Sequence, residues 1–443
     1  MTETSSAPQP HTGAGQKALR IDTDRPEIRE GLERLAALVT EAGGRFSPGL
    51  FVRAREGELT LASDGPNDRT VRLLQVPYAA MPNNKSFTVA LDDGRFAYTR
   101  SEDGPPASDL EEQAFAAMLD VYNLMDKPRQ WAEQCPWLTL WHDLELFEHL
   151  VEAGGGRPGQ RKLQLYREGR WNDILIGTFL HSRVFNLKAD PEAAKADGEP
   201  DAPATTGKAA AQVDATSQVL MPFIDYLNHH LSTRGFMHDR EAAGGSLYTF
   251  QDRVADGSNE CFVRYNLLDL YGAYLAYGFL DESAPFTVSQ PATLTPTGGP
   301  TLYVGRNIAR GFKGKYPKAL KDLGVFLPQF QSRRDGGLSV SRLLIPGANA
   351  PYALRRVLRA ALSRKCPQWT DRQVESAVLE AEAQLLDQNH RFYDAIAEKV
   401  ANARGRSARD DPQGRLATLR ALDQVVIRNK RHLYDYRDRL AAA

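Results

Sequence analysis

Between Lys188 and Gln218 the chain reads KADPEAAKADGEPDAPATTGKAAAQVDATSQ, a run with no aromatic and almost no large aliphatic residue. Such a stretch has too little apolar surface to offset the entropy of ordering it. It therefore predicts a flexible insertion, not a domain. Strongly apolar sequence resumes at once with Val219-Leu220-Met221-Pro222-Phe223-Ile224, so the insertion interrupts a folded region. The first 23 residues, rich in Ser, Pro, Thr, Gly and Gln, predict a disordered tail, with order beginning near Asp24-Arg25-Pro26.

On the N-terminal side, Leu32, Leu35, Leu38 and Val39 recur at helical spacing. Short strands are expected at Leu50–Arg53, Leu59–Ala62, Val71–Val76 and Ser86–Ala90, punctuated by turns such as Asp92-Asp93-Gly94. From Leu110 to Glu152 the pattern is mostly helical, and a further helix is expected over Trp171 to Leu187. Beyond the insertion, strand-like sequence runs to about Thr295, and the remainder reads as helical. Thr370-Asp371-Arg372-Gln373 fits a capping box. The apolar faces Val374–Ile396 and Leu416–Leu433, joined by the polar stretch Ala401–Gly414, predict an antiparallel pair.

The balance of 55 Lys+Arg against 56 Asp+Glu excludes the strong basic excess usual in nucleic-acid binding. Cys135, Cys261 and Cys366 are too few and too scattered for a disulfide framework or a Cys-rich zinc site. His229 and His230 are adjacent, so their side chains diverge and make a poor metal pair; no metal is expected. No apolar run reaches the roughly 18 residues of a membrane span, and Met1 to Gly15 lacks the features of a secretory signal. A soluble, cytoplasmic, reduced protein is the expectation. Gly154-Gly155-Gly156-Arg157-Pro158-Gly159 satisfies the letters of G-x-G-x-x-G, but it follows a helical pattern, so a surface loop is expected there.

One segment stands out. In Leu220-Met221-Pro222-Phe223-Ile224-Asp225-Tyr226-Leu227-Asn228-His229-His230, an apolar run leads to an Asp and then to Asn-His. Read alone, it is a buried strand ending in a polar turn. Other segments fall around it in order: Leu74-Gln75-Val76-Pro77, Phe179-Leu180-His181-Ser182-Arg183-Val184-Phe185, Phe262-Val263-Arg264-Tyr265-Asn266, and Ala276-Tyr277-Gly278-Phe279. This ordered set resembles the SET-domain methyltransferases. Within them it resembles the branch that includes the Rubisco large-subunit lysine methyltransferase and the actin-histidine methyltransferase. Asn228-His229, Tyr265 and Tyr277-Gly278-Phe279 carry most of the likeness, which covers about 30 to 443. Ser47-Pro48-Gly49-Leu50-Phe51-Val52 stands where the family has G-x-G-L-x-A, and Leu267–Gly272 stands where it has N-x-E before Y-G-F.

The resemblance implies an α+β chain: a SET domain of short β-sheets over 24–295 with a helical insert at about 105–187, then an all-α C-terminal substrate-binding domain over 296–443. It implies S-adenosylmethionine as cofactor and a protein or peptide docked on the helical domain, with lysine the first expectation for the modified side chain and histidine the second. Tyr265 is implied as the catalytic residue. Gly49, Leu50, Arg183, Asn228 and His229 are implied to hold the cofactor, and Asp225, Tyr277 and Phe279 to line the substrate channel. His230 and Tyr226 are read as structural. Two other readings stay open: a SET-like binding module without catalysis, motivated by the altered cofactor loop, and an alkyltransferase acting on a small molecule or peptide.

Overall fold

The computed structural model describes residues 19–141, 143–154, 157–188, 216–240, 244–254, 257–305, 328–347, 353–406 and 415–441. The chain is α+β and divides into two compact units, residues 1–127 with 183–266, and residues 128–182 with 267–443. The sequence-based division at 295/296 does not coincide with this one. The helices from 128 to 182 fall with the C-terminal region, and the first unit is made of two separate chain segments.

In the first unit, strand β1 (Arg20–Asp22) pairs in parallel with β3 (Leu50–Arg55). Structure thus begins ahead of the expected start at Asp24, because Ile21 has a buried place beside β3; residues 1–18 lie outside the described residues. Helix α1 (Pro26–Glu41) opens with Pro at its first position, where a missing N–H costs nothing. It buries Ile28, Leu32, Leu35, Leu38 and Val39, as its apolar spacing predicts. After β2 (Arg45–Phe46), β3 and β4 (Glu58–Ser63) form a hairpin whose turn residues Glu56 and Gly57 have φ of 52° and 80°. Two consecutive positive φ values match the twist of the flanking strands. The same device, at Asp93 and Gly94, joins β6 (Phe87–Asp92) to β7 (Arg95–Arg100). Helix α2 (Asp109–Leu124) is fixed at its start by a capping box between Ser108 and Glu111.

The expected helix over 171–187 is corrected: its last residues form β8 (Val184–Lys188), which pairs antiparallel with β9 (Thr216–Leu220). Val184 and Phe185 favour the extended backbone, and β9 offers their groups a partner. Lys188 and Thr216 are cross-strand partners, so the two ends of the insertion meet. Residues 189–215 of the insertion lie outside the described residues, whereas its last residues, 216–218, are strand.

Strand β5 (Arg72–Pro77) lies inside a four-stranded sheet with β2 on one side. On the other are β12 (Ser246–Phe250) and then the edge strand β11 (Met237–Asp239). Two very short strands, β10 (Asn228–His229) and β13 (Phe262–Val263), pair in parallel. The core of this unit includes Leu35, Val52, Leu61, Val76, Phe115, Met118, Tyr122, Phe223, Ile224 and Leu227.

The second unit takes up α3 (Lys127–Gln134), whose first residue falls in the other unit, then α4 (Pro136–Thr139), α5 (Leu144–Gly154), α6 (Arg157–Arg167) and α7 (Trp171–His181). In the glycine-rich segment, α5 ends at Gly154 and α6 starts at Arg157, and the two residues between them, where a surface loop is expected, lie outside the described residues. Within the region expected to be strand-like to Thr295, α8 (Leu270–Tyr277) is helical. The Asp269 carboxylate caps it by accepting from Gly272 N at 2.8 Å.

The all-α expectation for 296–443 holds from Ala353 onward. Before it, the unit contains β14 (Phe286–Val288), β15 (Ala292–Leu294), β16 (Leu302–Val304), β17 (Phe330–Ser332), β18 (Leu338–Val340) and β19 (Leu344–Pro346). Strands of three residues are too short to show a period-two pattern in sequence. Helices α9 (Ala353–Lys365), α10 (Asp371–Arg406) and α11 (Arg415–Ala441) follow. The capping box at Thr370 is present: Gln373 accepts from Thr370 N at 2.9 Å and donates its own N–H back to Thr370 Oγ1. Ion pairs Arg404–Asp423 and Lys430–Asp394, with the Tyr436–Glu382 hydrogen bond, run in opposite chain directions along α10 and α11, so the pair is antiparallel.

Candidate functional site

The parallel pairing of β10 with β13 sets Asn228 opposite Phe262 and His229 opposite Val263. It carries Tyr265, two residues past β13, onto the same spot. Tyr265 N donates to His229 Nδ1 at 3.0 Å, and the Tyr265 hydroxyl donates to the Leu227 carbonyl at 2.6 Å. Accepting at Nδ1 assigns the neutral imidazole proton of His229 to Nε2. The two rings lie 5.2 Å apart, and Phe236 lies parallel to Tyr265 at 6.4 Å. The phenol is therefore fixed at its oxygen and along its ring.

Just upstream, Phe223 is held in the left-handed region at φ 62°, a conformation that costs a non-glycine residue about 1 kcal/mol. Its ring packs against Phe46 at 5.3 Å and Tyr226 at 5.6 Å, which holds the bend. A 3₁₀ turn over Ile224–Tyr226 follows and turns the Asp225 carboxylate inward. The Tyr122 hydroxyl on α2 donates to Asp225 Oδ2, and the Arg183 guanidinium lies over the Tyr122 ring at 5.5 Å. Asp225 Oδ1 and the Tyr226 hydroxyl are buried and have no hydrogen-bond partner among the described residues. Burial pushes the Asp225 carboxyl up to about 6, against the opposing pull of the Tyr122 hydrogen bond, Arg183 and Lys127. Burial likewise raises the Tyr122 and Tyr226 phenols, with the Asp225 charge adding to it, and lowers the Lys127 ammonium.

Gly49 and Leu50 open β3. Gly49 has φ 84°, and a Cβ there would stand 3.3 Å from Gly65 N, so this turn admits only glycine comfortably. A chain of hydrogen bonds links it to Asn228. The Gly49 carbonyl accepts from Asp64 N, the Asp64 carboxylate accepts from Asn259 Nδ2, and the neighbouring Glu260 carboxylate accepts from Asn228 Nδ2 at 2.7 Å. The exposed Asn228 side chain thus stands at the end of a rim of carboxylates, amides and a glycine turn.

Tyr277 and Phe279 belong to the second unit. Their rings lie 5.9 Å apart across Gly278, which ends α8 at φ 75° with its N–H on the Tyr274 carbonyl. Burial raises the Tyr277 phenol above its ordinary value. Of the sequence-predicted residues, Gly49, Leu50, Arg183, Asp225, Asn228, His229 and Tyr265 all fall in the first unit.

Three participants escaped the sequence reading. Tyr122 stands one turn beyond Met118 on the buried face of α2, so the helical period itself could have found it. Tyr226, read as structural, puts a buried hydroxyl beside Asp225. Glu260 carried no signal, because it precedes a strand of two residues.

No protein-family model matches the sequence, and no curated protein matches it. Solved structures similar to this chain include the SET domain of LSMT bound to lysine and AdoHcy, at 12% identity and a TM-score of 0.37 over 92% of this chain and 93% of that one. Rubisco LSMT bound to AdoMet matches at 12% identity and TM-score 0.34 over 91% and 93%. Rubisco LSMT bound to sinefungin and monomethyllysine matches at 14% and 0.32 over 92% and 93%. Function has to be read from the residues themselves.

Proposed function

We propose that the chain is a cytoplasmic S-adenosylmethionine-dependent N-methyltransferase of the SET type acting on a protein side chain, lysine in the first place. The observation that carries this reading is the β10–β13 pairing. It joins the two segments of the resemblance, Asn228-His229 and Tyr265, which are 36 residues apart between His229 and Tyr265, into one hydrogen-bonded group.

The rim from Gly49 to Asn228 suits the cofactor. Its glycine turn would be crowded by a Cβ, and its carboxylates and amides match a nucleoside rich in hydroxyl and amino groups. Bound there, S-adenosylmethionine supplies a methyl group on a positively charged sulfur, so no covalent enzyme intermediate is needed. The protein's share is alignment and exclusion of water.

The Tyr265 hydroxyl is oriented by the Leu227 carbonyl, and a phenol oxygen so placed is the type of group that can accept an N–H of an incoming amine. Asp225, buried and oriented by Tyr122, presents negative charge to a cationic side chain. A free lysine has a pKa of about 10.4, and apolar surroundings such as Phe223, Ile224 and Leu227 favour its neutral, nucleophilic form. A protein substrate docks on the helical C-terminal segment, where Leu416 and Ile427 expose large apolar side chains.

The test is methyl transfer from tritiated S-adenosylmethionine, with lysate protein and a small-molecule extract as separate acceptors. Label in protein that is lost with Tyr265→Phe supports the reading. Label only in the small-molecule fraction, or none in either, contradicts it.

A further inference from the structure

The second unit contains a cavity of about 630 Å³ between α9, α10 and α11, unrelated to the residues above. Its volume lies in the range of sites that enclose a small organic molecule. The walls are divided by chemistry. Leu379, Leu386, Leu440 and the half-exposed Tyr434 offer an apolar surface, while Arg437 and His390 face the same space.

The lining charges decide what fits. Each lining carboxylate already has a cation: Glu382 binds Arg355 at 2.7 Å, Asp387 binds Arg391 at 2.5 Å, and Asp394 binds Lys430 at 2.5 Å. Arg437 has no ion-pair partner among the described residues. His390 Nε2 is buried, without a hydrogen-bond partner among them. The His390 ring packs on Tyr434 at 4.6 Å, which holds the imidazole at the wall. One unneutralised guanidinium and one unused ring nitrogen beside apolar side chains form a recognisable pattern: a few convergent polar groups fix a ligand's orientation while the rest bury its body.

We propose that this cavity binds a small organic monocarboxylate with an apolar body, its carboxylate on Arg437 and His390 and its body against Leu379, Leu386 and Tyr434. The site is separate from the methyl-transfer reading and stands or falls without it.

The experiment uses the full chain and two matched probes, octanoate and octanamide, followed by ligand-observed saturation-transfer NMR and titration. Octanoate should bind saturably and octanamide at least about ten-fold more weakly, since a charge-assisted contact is lost. Arg437→Gln should bring octanoate down to the octanamide level with an unchanged melting temperature, because this arginine holds no ion pair in the fold. Tyr434→Ala should weaken both probes together.

Equal binding of the two probes, binding unaffected by Arg437→Gln, or no saturable binding would overturn the assignment. So would binding of an N-acetylated, C-amidated Leu-Glu-Leu peptide in the absence of octanoate binding.

Discussion

The hydroxyl of Tyr265 donates to the carbonyl of Leu227 at 2.6 Å, tying a residue two positions past β13 to the residue before β10. The contact fixes both the short parallel pair and the orientation of the phenol. Tyr265→Phe should cost about 1 kcal/mol of stability, the usual net value of one hydrogen bond, with the ring contacts kept. Turnover should fall by about 10²-fold through lost alignment, while cofactor affinity changes little. Parallel melting and rate measurements check this; an unaltered rate would remove Tyr265 from the chemistry.

Asp225 makes stability pH-dependent in a definite direction. Its folded-state value of about 6 lies above the ordinary 3.8, so the native state favours the protonated carboxyl. The stability this lends is fully present below the unfolded value, near pH 4, and is lost as pH rises through about 6. Asp225→Asn keeps an acceptor for the Tyr122 hydroxyl and removes the buried charge. It should stabilise the protein by roughly 1–3 kcal/mol at pH 7.5 and by little at pH 4. Denaturant unfolding at the two pH values is the check, and a gain confined to pH 4 would contradict the assignment.

In the second unit, Arg415 and Asp143 form a buried pair, with Nε on Oδ2 at 2.5 Å and Nη2 on Oδ1 at 2.9 Å. Removing one partner leaves the other charge buried without this bidentate pairing. Arg415→Ala should therefore destabilise by about 3–5 kcal/mol, whereas an exposed pair such as Arg391–Asp387 should give less than about 1 kcal/mol on the same treatment. Comparable melting temperatures for the two variants would contradict this.

Because Lys188 and Thr216 pair across β8 and β9, replacing 189–215 with a short turn should leave the first unit folded. Shortening a loop saves about 0.6 kcal/mol of closure entropy per halving, so the melting temperature should hold or rise. Loss of cooperative unfolding in the shortened chain would show that the insertion supports the fold.

Features with a local cause could be read from the sequence. The spacing in α1, the Asp93-Gly94 turn and the Thr370 capping box each depend on neighbours within about four residues, and all three are present. What escaped depends on distant pairing. Val184–Lys188 is a strand because β9 exists beyond the insertion, and β10 and β13 have two residues each, too few for any period. In the site, the motif residues Asn228, His229 and Asp225 stood out in sequence. Tyr122 and Glu260 did not, since their roles come from a helix and from the segment ahead of β13, both brought to the motif by folding.

The central claim is that the first unit holds S-adenosylmethionine, and isothermal titration calorimetry of the full chain with this ligand tests it most directly. The account predicts saturable heat at one site, strongly weakened by Asn228→Ala and by Glu260→Ala, and nearly unchanged in Tyr265→Phe. No heat at millimolar ligand, or binding indifferent to Asn228 and Glu260, would contradict it.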